Sequence, residues 1–124
     1  MPTIKEKIEE IFNKRLGEIF FREKVIDLVV NAYPGTNRSS IMPSDYCYNM
    51  LNAGIDFVFH FFESLGEREG RYRCLGISYQ YTGTIYWKLM PVGEWRDGRF
   101  RLKENAPPNL IKKYGADIWI DPHL

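Results

Sequence analysis

The sequence holds 124 residues with a formal net charge of +1, and 44% of its residues are hydrophobic. This composition excludes a disordered chain, and the length is that of one domain with a sizeable core. The near-zero charge excludes a general attraction to nucleic acid or to anionic membranes, so any cationic surface must come from local patterning.

The two cysteines, Cys47 and Cys74, lie in segments that look buried and lack the spacing of a secreted disulfide framework. The charged N-terminal segment lacks the apolar stretch of a signal peptide, and no apolar run approaches the roughly 20 residues that span a bilayer. We therefore expect a cytoplasmic protein, not bound to a membrane, that folds alone or as a small homo-oligomer such as a homodimer.

The first quarter of the chain predicts two helices joined by a short strand. Thr3 and Glu6 have the spacing of a capping box, and apolar residues then recur at helical spacing until Gly17, a plausible stop. Residues 18–21 predict a short aromatic strand. Residues 22–33 predict a helix that is apolar around most of its circumference and ends at a Pro-Gly pair.

The segment from Gly35 to Asn52 is rich in hydroxyl and amide side chains. Its first half favours turns, and Pro43 is tolerated only in the first turn of a helix, so we predict a third helix over about residues 43–51. The side chains expected to point inward are Tyr46, Met50 and Leu51, and those expected to be more exposed are Ser44, Asp45, Tyr48, Asn49 and Asn52.

The rest of the chain predicts mainly β-structure. Residues 56–62 are apolar on both alternating faces, which indicates a strand at the centre of a sheet, and residues 71–76 predict the strand returning from a charged loop. Residues 79–89 predict one or two further strands. Residues 107–114 predict a short helix, and residues 118–120 a last edge strand.

The best-defined hairpin spans residues 93–103. Its Asp97-Gly98 pair predicts a type I′ turn, which fixes the register of the two strands. The predicted pairs are Arg96 with Arg99, Trp95 with Phe100, and Glu94 with Arg101. Alternation then places Trp95, Phe100 and Leu102 on a core face. The opposite face, which we name the cationic hairpin face, carries Glu94, Arg96, Arg99, Arg101 and Lys103.

The order of elements over residues 3–76 resembles a winged helix-turn-helix, with a hairpin as the wing. Residues 20–26 look like the entry to the second helix of that fold, and residues 71–73 like the strand leaving the wing. The string at residues 43–49 also resembles a segment of small uncharacterised prokaryotic modules, some attached to restriction or mobile-element proteins. We therefore predict one α+β domain whose winged-helix unit is extended after residue 76 by antiparallel strands and a short helix.

The resemblance implies non-enzymatic binding of duplex DNA, with the third helix in the major groove and the wing on the backbone. The implied contacts of the helix region are Arg38, Ser39, Ser40, Ser44, Tyr48 and Asn49, and those of the wing are Arg68, Arg71 and Arg73. The hairpin pattern adds Arg96, Arg99, Arg101 and Lys103 as phosphate contacts. Residues 36–54 have no formal net charge, which departs from DNA-binding helices, so affinity must come largely from the cationic hairpin face or from dimerisation.

Simpler explanations exist for both surfaces. Turn and capping chemistry accounts for the polar segment, and an ordinary solvated sheet face accounts for the hairpin arginines. The alternative function is a protein-interaction module or small inhibitor that uses exposed tyrosines and arginines as anchors. Near-neutral charge favours this alternative.

Catalysis, metals and cofactors find little support in the sequence. Glu94, Asp97, Lys103 and Glu104 supply the residue types of a metal-dependent nuclease but no motif, and no nucleophile elbow is present. Cys47, Cys74, His60 and His123 lack the paired spacing of zinc ligands. We expect no metal and no cofactor, and we expect His60 to be a hydrogen-bonded core residue.

Overall fold

The structure, a computed structural model, describes residues 2–52, 57, 60–66 and 70–122. This part of the chain is α+β and contains two three-stranded antiparallel sheets. The helices are α1 (Ile4–Phe12), α2 (Arg22–Ala32) and α3 (Pro108–Tyr114), with 3₁₀ turns at Arg38–Ser40 and Pro43–Tyr46. The strands are β1 (Ile19–Phe21), β2 (Phe62–Ser64), β3 (Arg71–Cys74), β4 (Gly83–Trp87), β5 (Met90–Arg96) and β6 (Arg99–Leu102). None of the described helices has the length and apolar character needed to cross a membrane.

The first two helices and the strand between them confirm the predicted pattern. Thr3 Oγ1 accepts a hydrogen bond from the Glu6 backbone N–H, and a Glu6 carboxylate oxygen accepts one from the Thr3 N–H, which is the predicted capping box. Helix α1 ends at Phe12, earlier than the predicted glycine stop. Its apolar stripe and that of α2 pack into one core, in which Ile8 and Val25 are fully buried.

The first sheet has the order β1-β3-β2. The predicted hairpin between β2 and β3 is confirmed, with Glu63 opposite Arg73. The prediction of a central strand at residues 56–62 is wrong where it can be compared, because β2 begins only at Phe62 and lies at the edge of the sheet. Three positions of that prediction, residues 56, 58 and 59, lie outside the described residues.

The second sheet has the order β4-β5-β6 and confirms the predicted hairpin register. Asp97 and Gly98 have φ values of +50° and +84°, as a type I′ turn requires. Trp95 and Phe100 are buried on one face, where they form a second core with α3. Ile120 contributes a single bridge to this sheet rather than a strand.

The predicted third helix is absent. After the 3₁₀ turn at Pro43–Tyr46 the chain becomes extended, with Cys47 at φ −95° and ψ 140°. Residues 46–51 instead run between the two sheets, and we name them the bridging segment. Its backbone pairs on one side with Phe62 and on the other with Tyr86, through parallel bridges. The polar residues that suggested a helix start therefore serve a 3₁₀ turn and a second turn between two isolated bridges.

Burial on two sides explains the path of the bridging segment. Cys47 is buried in the first core, and the next residue, Tyr48, is buried in the second. After a turn at Tyr48 and Asn49, Met50 and Leu51 repeat this division between the two cores. A helix would direct its apolar residues to one stripe. Burial between two cores thus outweighs local helix propensity.

The turn between β4 and β5 lends itself to a stability test. Lys88 and Leu89 adopt φ values of +50° and +66°. This left-handed backbone conformation is unfavourable for residues other than Gly, Asn and Asp. Replacing the pair with Asn-Gly should raise the free energy of unfolding by about 1 kcal/mol, measured by urea denaturation. Leu89→Ala alone keeps the backbone strain and should give little of this gain. An equal gain from Leu89→Ala would assign the effect to the exposed side chain instead.

Candidate nucleic-acid interface

Tyr48 lies inside the molecule, so its predicted exposure is wrong. Only 1% of the residue is exposed, and its hydroxyl donates a hydrogen bond to the Gly76 carbonyl at 2.6 Å and accepts one from the Tyr79 N–H at 3.3 Å. Trp95 Nε1 donates to the Tyr48 carbonyl at 2.6 Å. Burial raises the pKa of the Tyr48 phenol to about 12. In this arrangement Tyr48 cannot reach a nucleic acid.

Asn49 is also engaged in holding the fold together. Its Nδ2 donates to the Ser64 carbonyl and its Oδ1 accepts from the Ser64 N–H, both at 2.9 Å. The amide side chain therefore reproduces the paired bonding of a neighbouring strand. Asn49 is only partly exposed, and both ends of its amide are already bonded, so it is poorly placed to read a base.

Ser44 and Asp45 bind Asn52 rather than projecting into solvent. The Asn52 amide donates to Asp45 Oδ1 at 2.6 Å and to Ser44 Oγ at 3.3 Å. All three residues are half-buried. The predicted exposed helix face is thus a small hydrogen-bonded cluster that joins the second 3₁₀ turn to Asn52.

Arg38 is exposed but already paired with acids. Its guanidinium lies 2.9 Å from Asp27 and 3.1 Å from Glu23, both on α2. The hydrogen bond to Asp27 raises the pKa of Arg38 above its ordinary value. The neighbouring Ser39 donates its hydroxyl to Asn37 Oδ1, while Ser40 is exposed. This corner of the molecule has no excess positive charge.

The two wing arginines that the structure describes lie on β3. Arg73 pairs with Glu63 across the strands at 3.4 Å, and Arg71 is half-exposed opposite Phe21. The prediction for Arg68 lies outside the described residues. Of the two described wing arginines, Arg73 is thus already paired with an acid.

The cationic hairpin face gathers Arg96, Arg99, Arg101 and Lys103 on one side of the β5–β6 hairpin. Arg101 binds Glu94 at 2.6 Å, and Arg96 lies 3.9 Å from the same carboxylate. Arg99 and Lys103 are exposed along the same side of β6 and just beyond it. Four cationic side chains thus share a surface with Glu94, and the antiparallel Phe100–Ile120 bridge places Asp121 opposite Arg99 on the same side.

Trp119 also lies on this face, a position that was not predicted from the sequence. Its ring lies 5.1 Å from the guanidinium carbon of Arg96 and 4.8 Å from that of Arg101. Arg96, Arg99 and Trp119 surround a shallow depression of about 120 Å³. The bridge between Ile120 and Phe100 brings Trp119 to the outer side of the hairpin. Alternation along residues 118–120 was the signal that could have indicated this position.

The thiols and the core histidine offer no reactive site. His60 is 3% exposed and its Nε2 lies 3.2 Å from the Phe57 carbonyl, so the prediction of a hydrogen-bonded core histidine is confirmed. Burial raises the pKa of Cys74 to about 12 and that of Cys47 further above its ordinary value. Within the described part of the chain, no group of three potential metal ligands comes together.

Residues 3–102 match the family described as "Domain of unknown function (DUF7225)". The chain belongs to this family. The uncharacterized protein YnaC of Bacillus subtilis (strain 168) is 36% identical over 113 residues, which cover 86% of this chain and 42% of YnaC. The chain thus spans less than half the length of that relative. No solved structure matches the chain. The DUF7225 match includes the bridging segment and ends at Leu102, so Lys103 and Trp119 lie beyond it.

Proposed function

We propose that this DUF7225 domain binds duplex DNA without catalysing a reaction, by holding phosphates against the cationic hairpin face. The observation that supports this proposal is the presence of four cationic side chains on a single two-stranded ribbon, against the two carboxylates Glu94 and Asp121. Neutralisation of phosphates by Lys and Arg, with release of counterions, supplies most of the affinity of non-specific DNA binding. A local surplus of charge can provide this even when the whole chain is nearly neutral.

The geometry of the ribbon suits a row of phosphates. Arg99 and Arg101 occur two residues apart on one face of β6, which corresponds to a spacing of about 7 Å along a strand. Contact with the Trp119 ring limits the freedom of the Arg96 and Arg101 side chains. A planar guanidinium that is held in place loses less entropy when it binds a phosphate in a bidentate manner.

We expect this binding to depend weakly on sequence. Phosphate contacts position a protein on DNA but carry no direct base information. Of the residues predicted to contact DNA from the third helix, Tyr48 is buried and Asn49 is bonded at both ends of its amide. Ser39, Ser40 and Arg71 remain candidates for additional backbone contacts. The proposal does not include base reading by a third helix.

A salt-dependent titration tests the proposed interface. Wild-type protein is added to a fluorescent mixed-sequence duplex at several salt concentrations, and the slope of log affinity against log salt is measured. Arg99→Ala/Arg101→Ala should weaken binding to every duplex and reduce the slope by about 1.8, because each lost phosphate contact contributes about 0.9. Lys14→Ala/Lys24→Ala removes the same charge from the α1 and α2 side of the chain and serves as the matched control.

Two results would reject the proposed interface. If the duplex does not bind at low salt, nucleic-acid binding by this domain is excluded under those conditions. If the hairpin and control variants change the slope equally, the effect reflects net charge and not the cationic hairpin face.

A protein partner is the second candidate function, and one exposed apolar site favours it. Leu89 is 73% exposed at the tip of the β4–β5 turn, and Met90 and Tyr86 beside it are 47% and 43% exposed. Leu89 and Tyr86 also line an apolar groove of about 290 Å³ that includes Met50 of the bridging segment. Exposed apolar side chains around a groove are typical of interaction sites. Absence of DNA binding would make this groove the next site to test.

A further inference from the structure

The first sheet has one face that turns away from α1 and α2, and we name it the outer sheet face. Antiparallel pairing sets Ile19, Arg73 and Glu63 in one row across the three strands, and Phe21 beside Arg71 in the next row. Ile19 is 47% exposed and Phe21 is 62% exposed, while the residues that alternate with them along β1 and β3 are buried in the core. Exposed aromatic side chains beside arginines on a sheet are typical of surfaces on which bases stack.

A polar pocket of about 310 Å³ adjoins this face, between the first sheet and the segment that leads into β4. Glu63 and Arg73 line it on the sheet, and residues 79–82 line it on the opposite side. The Tyr81 hydroxyl joins the two sides by donating to Glu63 Oε2 at 2.7 Å. Arg73 donates to the other oxygen, Oε1, at 3.4 Å. The carboxylate in the pocket is thus held from two directions.

The lining of this pocket is complementary to a nucleobase. Glu63, Arg73 and Gln80 end in planar groups that form hydrogen bonds. Thr82 adds a hydroxyl, and Tyr79 adds an aromatic ring on a residue that is 47% exposed. Nucleobases are planar, carry donors and acceptors along their edges, and stack on aromatic rings. One acid and one base in the pocket also suit a group that carries no net charge.

We propose that the outer sheet face binds single-stranded nucleic acid, with one unpaired base in the pocket. Phe21 and Glu63 lie two strands and two residues apart, a distance of about 12 Å that a short stretch of strand can span. Phe21 offers a ring to a second base, and Arg71 offers a cation to the phosphate between the two bases. This site goes beyond the proposed binding of duplex DNA, because the bases of a duplex are paired and stacked. It uses no residue of the cationic hairpin face.

Guanine matches the acid and the guanidinium of the pocket best. Its ring N–H and amino group are neighbouring donors that one carboxylate can accept together, while its O6 and N7 accept from an arginine. Each oxygen of Glu63 accepts one hydrogen bond from the protein and can accept a second. Burial and the bond to Glu63 raise the pKa of the Tyr81 phenol, so the phenol stays protonated and keeps donating. Thymine offers a single ring N–H between two carbonyls and should bind more weakly.

Binding of short oligonucleotides tests the site. The probes are fluorescent thymine oligonucleotides of about 12 nucleotides, with either guanine or thymine at the centre, and unlabelled duplex is present in excess. The guanine probe should bind about tenfold tighter than the thymine probe. Glu63→Gln should abolish this difference, because an amide accepts only through its one oxygen. Arg99→Ala/Arg101→Ala should bind both probes like wild type, which separates this site from the proposed duplex interface.

Two aromatic variants test the path of the strand. Tyr79→Ala and Phe21→Ala each remove a ring on which a base stacks, and each should weaken binding of the guanine probe by about tenfold. Tyr86→Ala removes a ring from a residue that is 43% exposed in the second sheet, and should bind like wild type. Guanosine monophosphate fills the pocket alone, so it should bind more weakly than the probe and should not respond to Phe21→Ala. Circular dichroism confirms that each variant is folded.

Several results would overturn the inference. These are no binding of either probe, equal binding of the two probes, or wild-type binding by both Tyr79→Ala and Phe21→Ala. Loss of probe binding in Arg99→Ala/Arg101→Ala would place the single strand on the cationic hairpin face instead. Guanosine monophosphate that binds as tightly as the guanine probe would exclude a single strand as the occupant.

Discussion

Replacing Tyr48 with Ala should lower the free energy of unfolding by about 3–5 kcal/mol, the range found for large aromatic truncations in cores. The Tyr48 ring stacks on Tyr81 at a centroid distance of 5.1 Å and meets Trp95 edge-on at 5.2 Å. Its removal would leave a cavity between the bridging segment and the second sheet. The Gly76 carbonyl would also lose the hydroxyl that now donates to it.

Urea denaturation of the Ala and Phe variants separates the contributions. Tyr48→Phe keeps most of the packing and removes only the hydroxyl, so the expected loss is about 1–3 kcal/mol. Tyr79→Ala is the matched control, because Tyr79 is 47% exposed and should cost about 1 kcal/mol or less. If Tyr48→Ala cost no more than this control, Tyr48 would be exposed, as the helical interpretation predicted.

The sequence predicted those elements whose signals are local. The capping box at Thr3 and Glu6 specifies its own bonds within one turn, and Asp97-Gly98 specifies a turn and with it a strand register. Helical spacing of apolar residues identified α1, and prolines marked the end of α2 and the start of α3. These features can be predicted without the rest of the fold, because the interacting groups are close in sequence.

The bridging segment could not be predicted in the same way, because its conformation depends on distant partners. Tyr48 N–H bonds to the Phe62 carbonyl, and Leu51 N–H to that of Tyr86. A Pro followed by Ser and Asp is compatible with a helix start or with a 3₁₀ turn. Contacts with the two sheets favour the 3₁₀ turn over the helix. Trp119 was missed for a related reason, since only its tertiary contacts with Arg96 and Arg101 reveal its role.

This difference changes the expected role of the polar segment. An exposed helix with hydroxyl and amide side chains could read bases, whereas an irregular segment between two cores uses the same groups to bond backbone that would otherwise be buried unpaired. The polar residues of the segment then affect stability rather than recognition. Asn49 separates these two interpretations most clearly, because its side chain makes two backbone bonds at once.

Asn49→Ala should lower the free energy of unfolding by about 1–3 kcal/mol, because it leaves the N–H and C=O of Ser64 without their side-chain partners in a half-buried site. Asn49→Asp should not rescue the loss. A carboxylate can accept from the Ser64 N–H, but it repels the Ser64 carbonyl that the amide now binds. Asn105→Ala removes an exposed amide bonded at 3.3 Å to the Pro91 carbonyl, and should change stability by less than about 0.5 kcal/mol.

The decisive measurement combines urea denaturation with DNA titration of the folded Asn49→Ala variant. Because we place phosphate binding on the cationic hairpin face, the variant should bind duplexes of different sequence with the same relative affinities as wild type. Salt dependence should be unchanged as well, since no charge is altered. A variant with wild-type stability and an altered preference among duplexes would instead show that Asn49 contacts bases. It would also mean that the bridging segment leaves its position between the two sheets when DNA binds.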